Sequence, residues 1–226
     1  MATQHTMTFK NATDLSLKFY VYKRFPGRNL DSVVWKVCSL PPQLQVSSPT
    51  SSDVHWTMNY GVAIADFTSD EGLSGKYQCT QKVGGMLGSK YGVEIQGTAI
   101  GISPTAIGST SSDEMILYNQ TNPGEKVNMG FTLGGDLIGA ECDVVGGAYS
   151  IFKAYPDNYY VAATNKEIEQ GDCVSQFYDS IPFTSFRDVP ILDFALPEVQ
   201  VTINDVQVCT VEAFEENGRY LLKVLN

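Results

Sequence analysis

Apolar and polar residues alternate along most of this chain. Leu15, Leu17, Phe19 and Val21 alternate with Ser16, Lys18, Tyr20 and Tyr22, the period-two pattern of a strand with one buried face. Trp56, Met58 and Tyr60 alternate with Thr57 and Asn59, and the pattern resumes beyond Gly61 through Val62, Ile64 and Asp66. A glycine inside such a run marks a bulge, a bend or the close approach of another backbone. Residues 54–81 therefore read as one long strand, a loop around Ser69 and Asp70, and a second strand running back antiparallel from Gly75. Residues 32–40, with Trp35, form another strand, stopped by Pro41 and Pro42, which cannot donate to a ladder. Short strands follow around Tyr91, Leu117, Phe131, Ile138, Phe152 and Val161, with turn residues between them at intervals of about ten residues.

The chain ends in two predicted hairpins. One covers residues 199–211 and turns at Asn204-Asp205; the other covers residues 210–225 and turns at Asn217-Gly218. Asn-Gly is a strong hairpin signal because both central positions need positive φ. That turn pairs Glu216 with Arg219, Phe214 with Leu221 and Glu212 with Lys223. Val211, Ala213, Leu222 and Val224 then share the opposite, buried face. No long window carries helical periodicity, and residues 165–171 are the best short helix or long turn. No tandem repeat is visible in the sequence. The pattern predicts an all-β protein: residues 1–226 as a single antiparallel, jelly-roll-like β-sandwich domain of roughly ten to fourteen strands. A closed β-barrel is the alternative.

Composition narrows the function. The net charge of −10 is spread along the chain, which argues against nucleic acid as a partner. The densest basic group, Lys18, Lys23, Arg24 and Arg28, reads as a solvated strand end and turn. The N-terminal residues lack the basic and apolar pattern of a secretory signal, and no apolar run is long enough for a transmembrane helix. Five widely spaced cysteines, Cys38, Cys79, Cys142, Cys173 and Cys209, point to reduced, mostly buried thiols and a cytoplasmic location. In that setting Asn11-Ala12-Thr13 and Asn119-Gln120-Thr121 match the glycosylation pattern by coincidence.

Catalytic chemistry finds little support. His5 and His55 are the only histidines, too few for a zinc site without paired cysteines. A couple between His55 and Cys79 across a hairpin is conceivable but is better read as an exposed histidine and a buried thiol. The glycine-rich run from Val83 to Lys90 has the wrong spacing and ending for a phosphate loop, so no nucleotide cofactor is expected. Asp66, Asp70 and Glu71 surround a loop, but their spacing fits no calcium site, and no metal is expected. No nucleophile elbow occurs, and no pair of carboxylates stands out.

The candidate site is aromatic. Tyr155, Tyr159 and Tyr160 surround Pro156, Asp157 and Asn158. Tyr155 and Tyr159 offer ring faces for a sugar, and Asp157 and Asn158 offer hydrogen bonds to its hydroxyls. Packing of the same tyrosines in the core is the competing reading.

The order of several landmarks resembles the RhiA-like family, the rhizosphere-expressed proteins of bacteria. They are Phe19-Tyr20-Val21-Tyr22, Val34-Trp35, Pro41 and Trp56-Thr57-Met58-Asn59-Tyr60, then Ala154-Tyr155-Pro156, Tyr159-Tyr160-Val161-Ala162 and Gln170-Gly171-Asp172. The resemblance spans residues 10–175 and implies a soluble β-sandwich, without assigning an activity. Three function classes follow. A non-catalytic binding module with a carbohydrate ligand, lectin-like, comes first. A self-assembling structural or storage protein, a homo-oligomer, is second. A hydrolase using acidic residues is third.

Overall fold

The computed structural model describes residues 4–25, 29–44, 48–69, 75–154, 158–174, 195–202 and 208–225. The first half of the chain contributes β1 (Gln4–Asn11), β2 (Leu17–Tyr22), β3 (Asp31–Ser32), β4 (Lys36–Leu40) and β5 (Thr50–Thr57). It continues with β6 (Tyr60–Thr68), β7 (Lys76–Gly84), β8 (Ser89–Gln96), β9 (Ala99–Ile102) and β10 (Gly108–Ser109). The second half contributes β11 (Glu114–Asn119), β12 (Lys126–Leu133), β13 (Asp136–Val145) and β14 (Tyr149–Lys153). It closes with β15 (Asn158–Thr164), β16 (Ala195–Thr202), β17 (Val208–Glu216) and β18 (Arg219–Leu225). Strands outnumber the sequence expectation because β3, β9 and β10 are too short to show an alternation.

These strands build four sheets, and none closes into a barrel. The first two have the orders β18-β17-β1-β5 and β16-β15-β2-β4; the others are β3-β13-β12-β6-β7 and β10-β8-β11-β14, with β9 also on β8. β16 lies against β18 and β4 against β5, so the first two sheets form one layered pair. β13 lies against β14 and β7 against β9, which joins the other two. The fold is all-β and sandwich-like, and one cluster of buried side chains, from Phe9 and Phe19 through Trp35 to Phe131 and Phe152, runs through both pairs.

The two halves of the chain repeat one topology and exchange strands. In the first half β1 pairs antiparallel with β5 and β2 with β4; in the second β11 pairs with β14 and β12 with β13 in the same sense. The strands that complete each set come from the other half. β15 adds to β2 antiparallel and β17 to β1 parallel, while β6 adds to β12 antiparallel and β8 to β11 parallel. The repeat resides in strand pairing, which side-chain identity need not preserve, and so escapes a search of the sequence.

The two Asn-x-Thr triplets mark equivalent corners of this repeat. Asn11 Nδ2 donates to Leu15 O (2.7 Å) and Pro41 O (2.9 Å), and Asn119 Nδ2 to Val144 O (2.8 Å) and Glu125 O (3.5 Å). Each Oδ1 accepts from the backbone N–H of the threonine two residues on (3.1 Å) and from its hydroxyl (2.7 Å). Ala12 N donates to Ala213 O and Gln120 N to Val93 O, both at 2.8 Å. Both asparagines are fully buried. The amide nitrogen that would carry a glycan is thus the clamp of a strand-end turn.

Some sequence expectations change. Residues 54–67 are two strands, not one: the chain leaves the first sheet at Thr57 and enters the third at Tyr60. The break falls at Met58-Asn59 because Trp56 and Tyr60 are needed in different layers, which alternation along one strand does not reveal. Gly61 is instead a site of close approach, where a Cβ would lie 2.7 Å from Val83 O. β16 and β17 do not pair with each other; they belong to facing sheets, so residues 199–211 are no hairpin, and Asn204 and Asp205 lie outside the described residues. Residues 165–171 form a long turn. The last hairpin has the register read from its turn: Glu216 opposite Arg219, Phe214 opposite Leu221 and Glu212 opposite Lys223. Asn217 and Gly218 have φ of 53° and 74°, as a type I′ turn requires.

Replacing either clamp should expose the same weakness. Asn11→Ala and Asn119→Ala each orphan buried backbone groups and should cost roughly 1–3 kcal/mol of stability, measured by urea denaturation. Asn11→Asp keeps the acceptor and loses the donor to Leu15 O and Pro41 O, so an unchanged urea midpoint in that variant would show that the amide donor is not what matters.

Candidate functional site

The predicted aromatic site divides between described and undescribed residues. Tyr155 and Asp157 lie outside the described residues. Asn158 opens β15, and its Oδ1 accepts from Thr202 Oγ1 at 3.0 Å. Tyr159 is only 1% exposed. Its ring stacks on Trp35 with centroids 5.4 Å apart, and Lys23 Nζ lies 5.3 Å from its centroid. Tyr159 is a packing residue because β15 presents alternate positions to the core, and 159 has the parity of the buried Val161 and Ala163.

Tyr159 belongs to an aromatic column that leads to a cleft. Trp35 meets Trp56 edge to face at 5.2 Å and 76°, and Trp56 stacks on His5 at 5.7 Å and 18°. His5 and Trp56 are directly opposite each other on β1 and β5. His5 has the same parity as buried Met7 and Phe9, so the imidazole is carried on the inner face of the sheet. At this end of the layered pair the two sheets leave a cleft of about 580 Å³. His5 and Trp56 line it together with Val201, Cys209, Val224 and Leu225; Thr6, Gln200, Thr202 and Val208 complete its wall. The volume lies within the usual range for small-molecule sites.

The polar chemistry of the cleft is unusual for its burial. His5 is 7% and Trp56 5% exposed, yet His5 Nδ1 and Trp56 Nε1 have no hydrogen-bond partner among the described residues. A buried polar atom left unpaired costs roughly 1–3 kcal/mol, and its retention is evidence that something else meets it. The contrast with Trp35 is direct: its Nε1 donates to Leu133 O at 3.0 Å. Among the described residues, no lysine, arginine, aspartate or glutamate lines the cleft. Burial pushes the Cys209 thiol up, away from the thiolate a nucleophile needs.

Other titratable groups are structural in their geometry. Tyr77 OH donates to Asp31 Oδ2 at 2.6 Å, and burial followed by Asp31 holds the phenol far above its ordinary range. It stays protonated and ties β7 to β3. Burial raises Cys173 to about 12 and also raises Cys38 and Cys79. His55 accepts or donates at Thr6 Oγ1 (2.9 Å) on the first sheet while Cys79 lies in the third, so the two form no couple. Asp66 is exposed on β6, and Asp70 and Glu71 lie outside the described residues. All five cysteines are free, with Cys142 exposed.

The sequence puts the candidate site on the Tyr155–Tyr160 connection and gives His5 no role beyond a histidine count too low for a zinc site. The signal that could have found it is the alternation of His5 with Met7 and Phe9, which gives the histidine the parity of the core.

The RhiA family model matches residues 2–212. The chain belongs to the RhiA family, and the match runs wider than the landmarks in the sequence indicated. No curated protein and no solved structure matches.

The packing role of Tyr159 has a measurable cost. Tyr159→Ala should lower stability by roughly 3–5 kcal/mol, as truncation of a buried aromatic does, read from the urea midpoint. An unchanged midpoint would return this tyrosine to the list of surface contacts.

Proposed function

We propose that this chain is a non-catalytic binding protein whose ligand occupies the cleft at the open end of β1, β5, β16, β17 and β18. The observation that carries this reading is the pair of buried ring nitrogens, His5 Nδ1 and Trp56 Nε1, without partners among the described residues in side chains that line an apolar concavity. A bound molecule supplies the missing hydrogen bonds and covers Val201, Val224 and Leu225. The lining the described residues supply, which carries no lysine, arginine, aspartate or glutamate, and the raised Cys209 support binding over catalysis. The carbohydrate ligand read from the sequence is one class this cleft is to be tested with, since Asn158 reaches its rim through Thr202. The free thiols support a cytoplasmic location.

Binding is tested by thermal shift and tryptophan fluorescence against neutral saccharides and small aromatic compounds. Thr202→Trp, at the exposed rim, should abolish any response while leaving the melting temperature of the free protein within a degree or two. A response that survives this substitution places the ligand elsewhere.

Self-association is the second reading, supported by the β8–β9 hairpin. Ile95 faces Ile100 there, and the two are 48% and 38% exposed. In the equivalent β17–β18 hairpin the pair is Glu215 and Tyr220, and Tyr220 is buried with its hydroxyl donating to Asp14 Oδ1 at 2.6 Å. An apolar pair exposed where its counterpart is covered fits contact with a second copy. Sedimentation velocity should then show an assembly that Ile100→Glu dissociates; a monomer at all concentrations would exclude this reading.

A further inference from the structure

The repeated topology provides an internal comparison for the cleft. Asn11 faces Ala213 as Asn119 faces Val93, so two residues earlier Val211 and Tyr91 hold equivalent places, opposite Phe9 and Leu117. Val161 faces Val21 as Val62 faces Phe131, which makes Val199 equivalent to Val83, Val201 to Gly85 and Thr202 to Met86. In the second layered pair the side chain of Tyr91 reaches toward that end. A Cβ on Gly85 would lie 3.4 Å from Tyr91 Cε2, and Met86 N donates to Tyr91 OH at 3.1 Å. A phenol of the chain itself is therefore packed beside Gly85 and Met86, where the first pair has Val211 on β17 and the cleft beside Val201 and Thr202; next to that phenol the second pair keeps a concavity of its own, lined by Gly84, Gly85, Met86 and Leu87.

The polar atoms of the cleft fit the same kind of group. Indole Nε1 can only donate, so the ligand atom that meets it carries a lone pair. The His5 Nδ1 donates or accepts according to its tautomer. One hydroxyl can accept from the indole and donate to the imidazole. A charged head is disfavoured, because no counter-charge lines the cleft among the described residues and an isolated buried charge is costly. An anion would also approach a chain of net charge −10. Val201, Val224 and Leu225 line the same cleft as His5 and Trp56; they leave the many hydroxyls of a saccharide without partners and suit an apolar ring.

Resting on the binding reading above, we infer that the cleft takes a neutral aromatic alcohol: an apolar ring system between β16 and β18, with one hydroxyl at the His5 and Trp56 ring nitrogens.

The probe is 2-naphthol, neutral at pH 7, compared by equilibrium dialysis with naphthalene, 2-naphthoate and cellobiose. Wild-type protein should bind 2-naphthol about tenfold tighter than naphthalene, the factor a hydrogen bond to a buried donor contributes, and should not bind 2-naphthoate or cellobiose measurably. Trp56→Phe, which keeps a ring but removes the donor, should erase most of that tenfold advantage. Thr202→Trp should block both neutral ligands, and its exposed position keeps the test independent of whether Trp56→Phe folds. In a Cys142→Ser background, bound 2-naphthol should slow alkylation of Cys209, which lines the cleft. Equal binding of naphthalene and 2-naphthol, both blocked by Thr202→Trp, would overturn the alcohol and keep the cleft. Cellobiose binding blocked by Thr202→Trp would overturn the aromatic class in favour of a saccharide. No binding of any probe, with Cys209 alkylated at one rate throughout, would overturn the cleft reading as well.

Discussion

The indole of Trp35 is where the layers of this protein meet. It is fully buried in the connection between β3 and β4. Its backbone N–H donates to Val21 O on β2, and its carbonyl accepts from Gln170 Nε2. Its ring stacks on Tyr159 of β15, meets Trp56 of β5 by its edge, and its Nε1 donates to Leu133 O of β12. One side chain thus touches three of the four sheets and couples the two layered pairs. An aromatic donor suits this place because it fills volume and ties its own buried N–H to a strand carbonyl of another sheet. Trp56 repeats the shape without the hydrogen bond, and that difference separates a structural tryptophan from one with an atom to spare.

Exchange between the halves explains the long reach of the chain. Each half lays down a four-strand frame, then sends its remaining strands to complete the other frame. The first pair is complete only when β15–β18 arrive, and the second needs β3 against β13, so both depend on contacts far apart in sequence. The arrangement has many non-local pairings, including the parallel pairs β1–β17 and β8–β11, which is the kind of topology that folds slowly. The two pairs are equivalent in strand pairing and different in filling. Tyr91 packs its phenol against Gly85 and Met86 in one pair, and Val211 holds the matching place in the other.

Much of the fold was legible because sheets write their burial into the sequence with period two. β11 and the last hairpin show this, whereas β2, read as a strand with one buried face, is buried on both because Tyr20 and Tyr22 pack into a second cluster. Asn217-Gly218 fixed the turn, the turn fixed the register, and the charged pair Glu212–Lys223 appears opposite in sign across it, at 3.6 Å. The aromatic site was legible only in part. Composition singled out the tyrosines around residue 158, but a tyrosine has the same letter whether it floors a core or faces solvent. His5 was hidden by its position near the end of the chain, where fraying is the ordinary expectation.

The sequence by itself determined the all-β class, the family landmarks and the type of the final turn. Each rests on local rules: alternation, glycine and proline punctuation, and the φ preference of Asn-Gly. Tertiary structure alone decided which strands share a sheet. Local alternation says which face of a strand is buried and nothing about what buries it, so residues 54–67 look like one strand and are two. It also decided that the Asn-x-Thr triplets are buried clamps, that Tyr159 packs beneath a cleft, and that His5 meets Trp56 across β1 and β5. Those outcomes depend on pairings between residues tens of positions apart, set by how four sheets fill one core around Trp35.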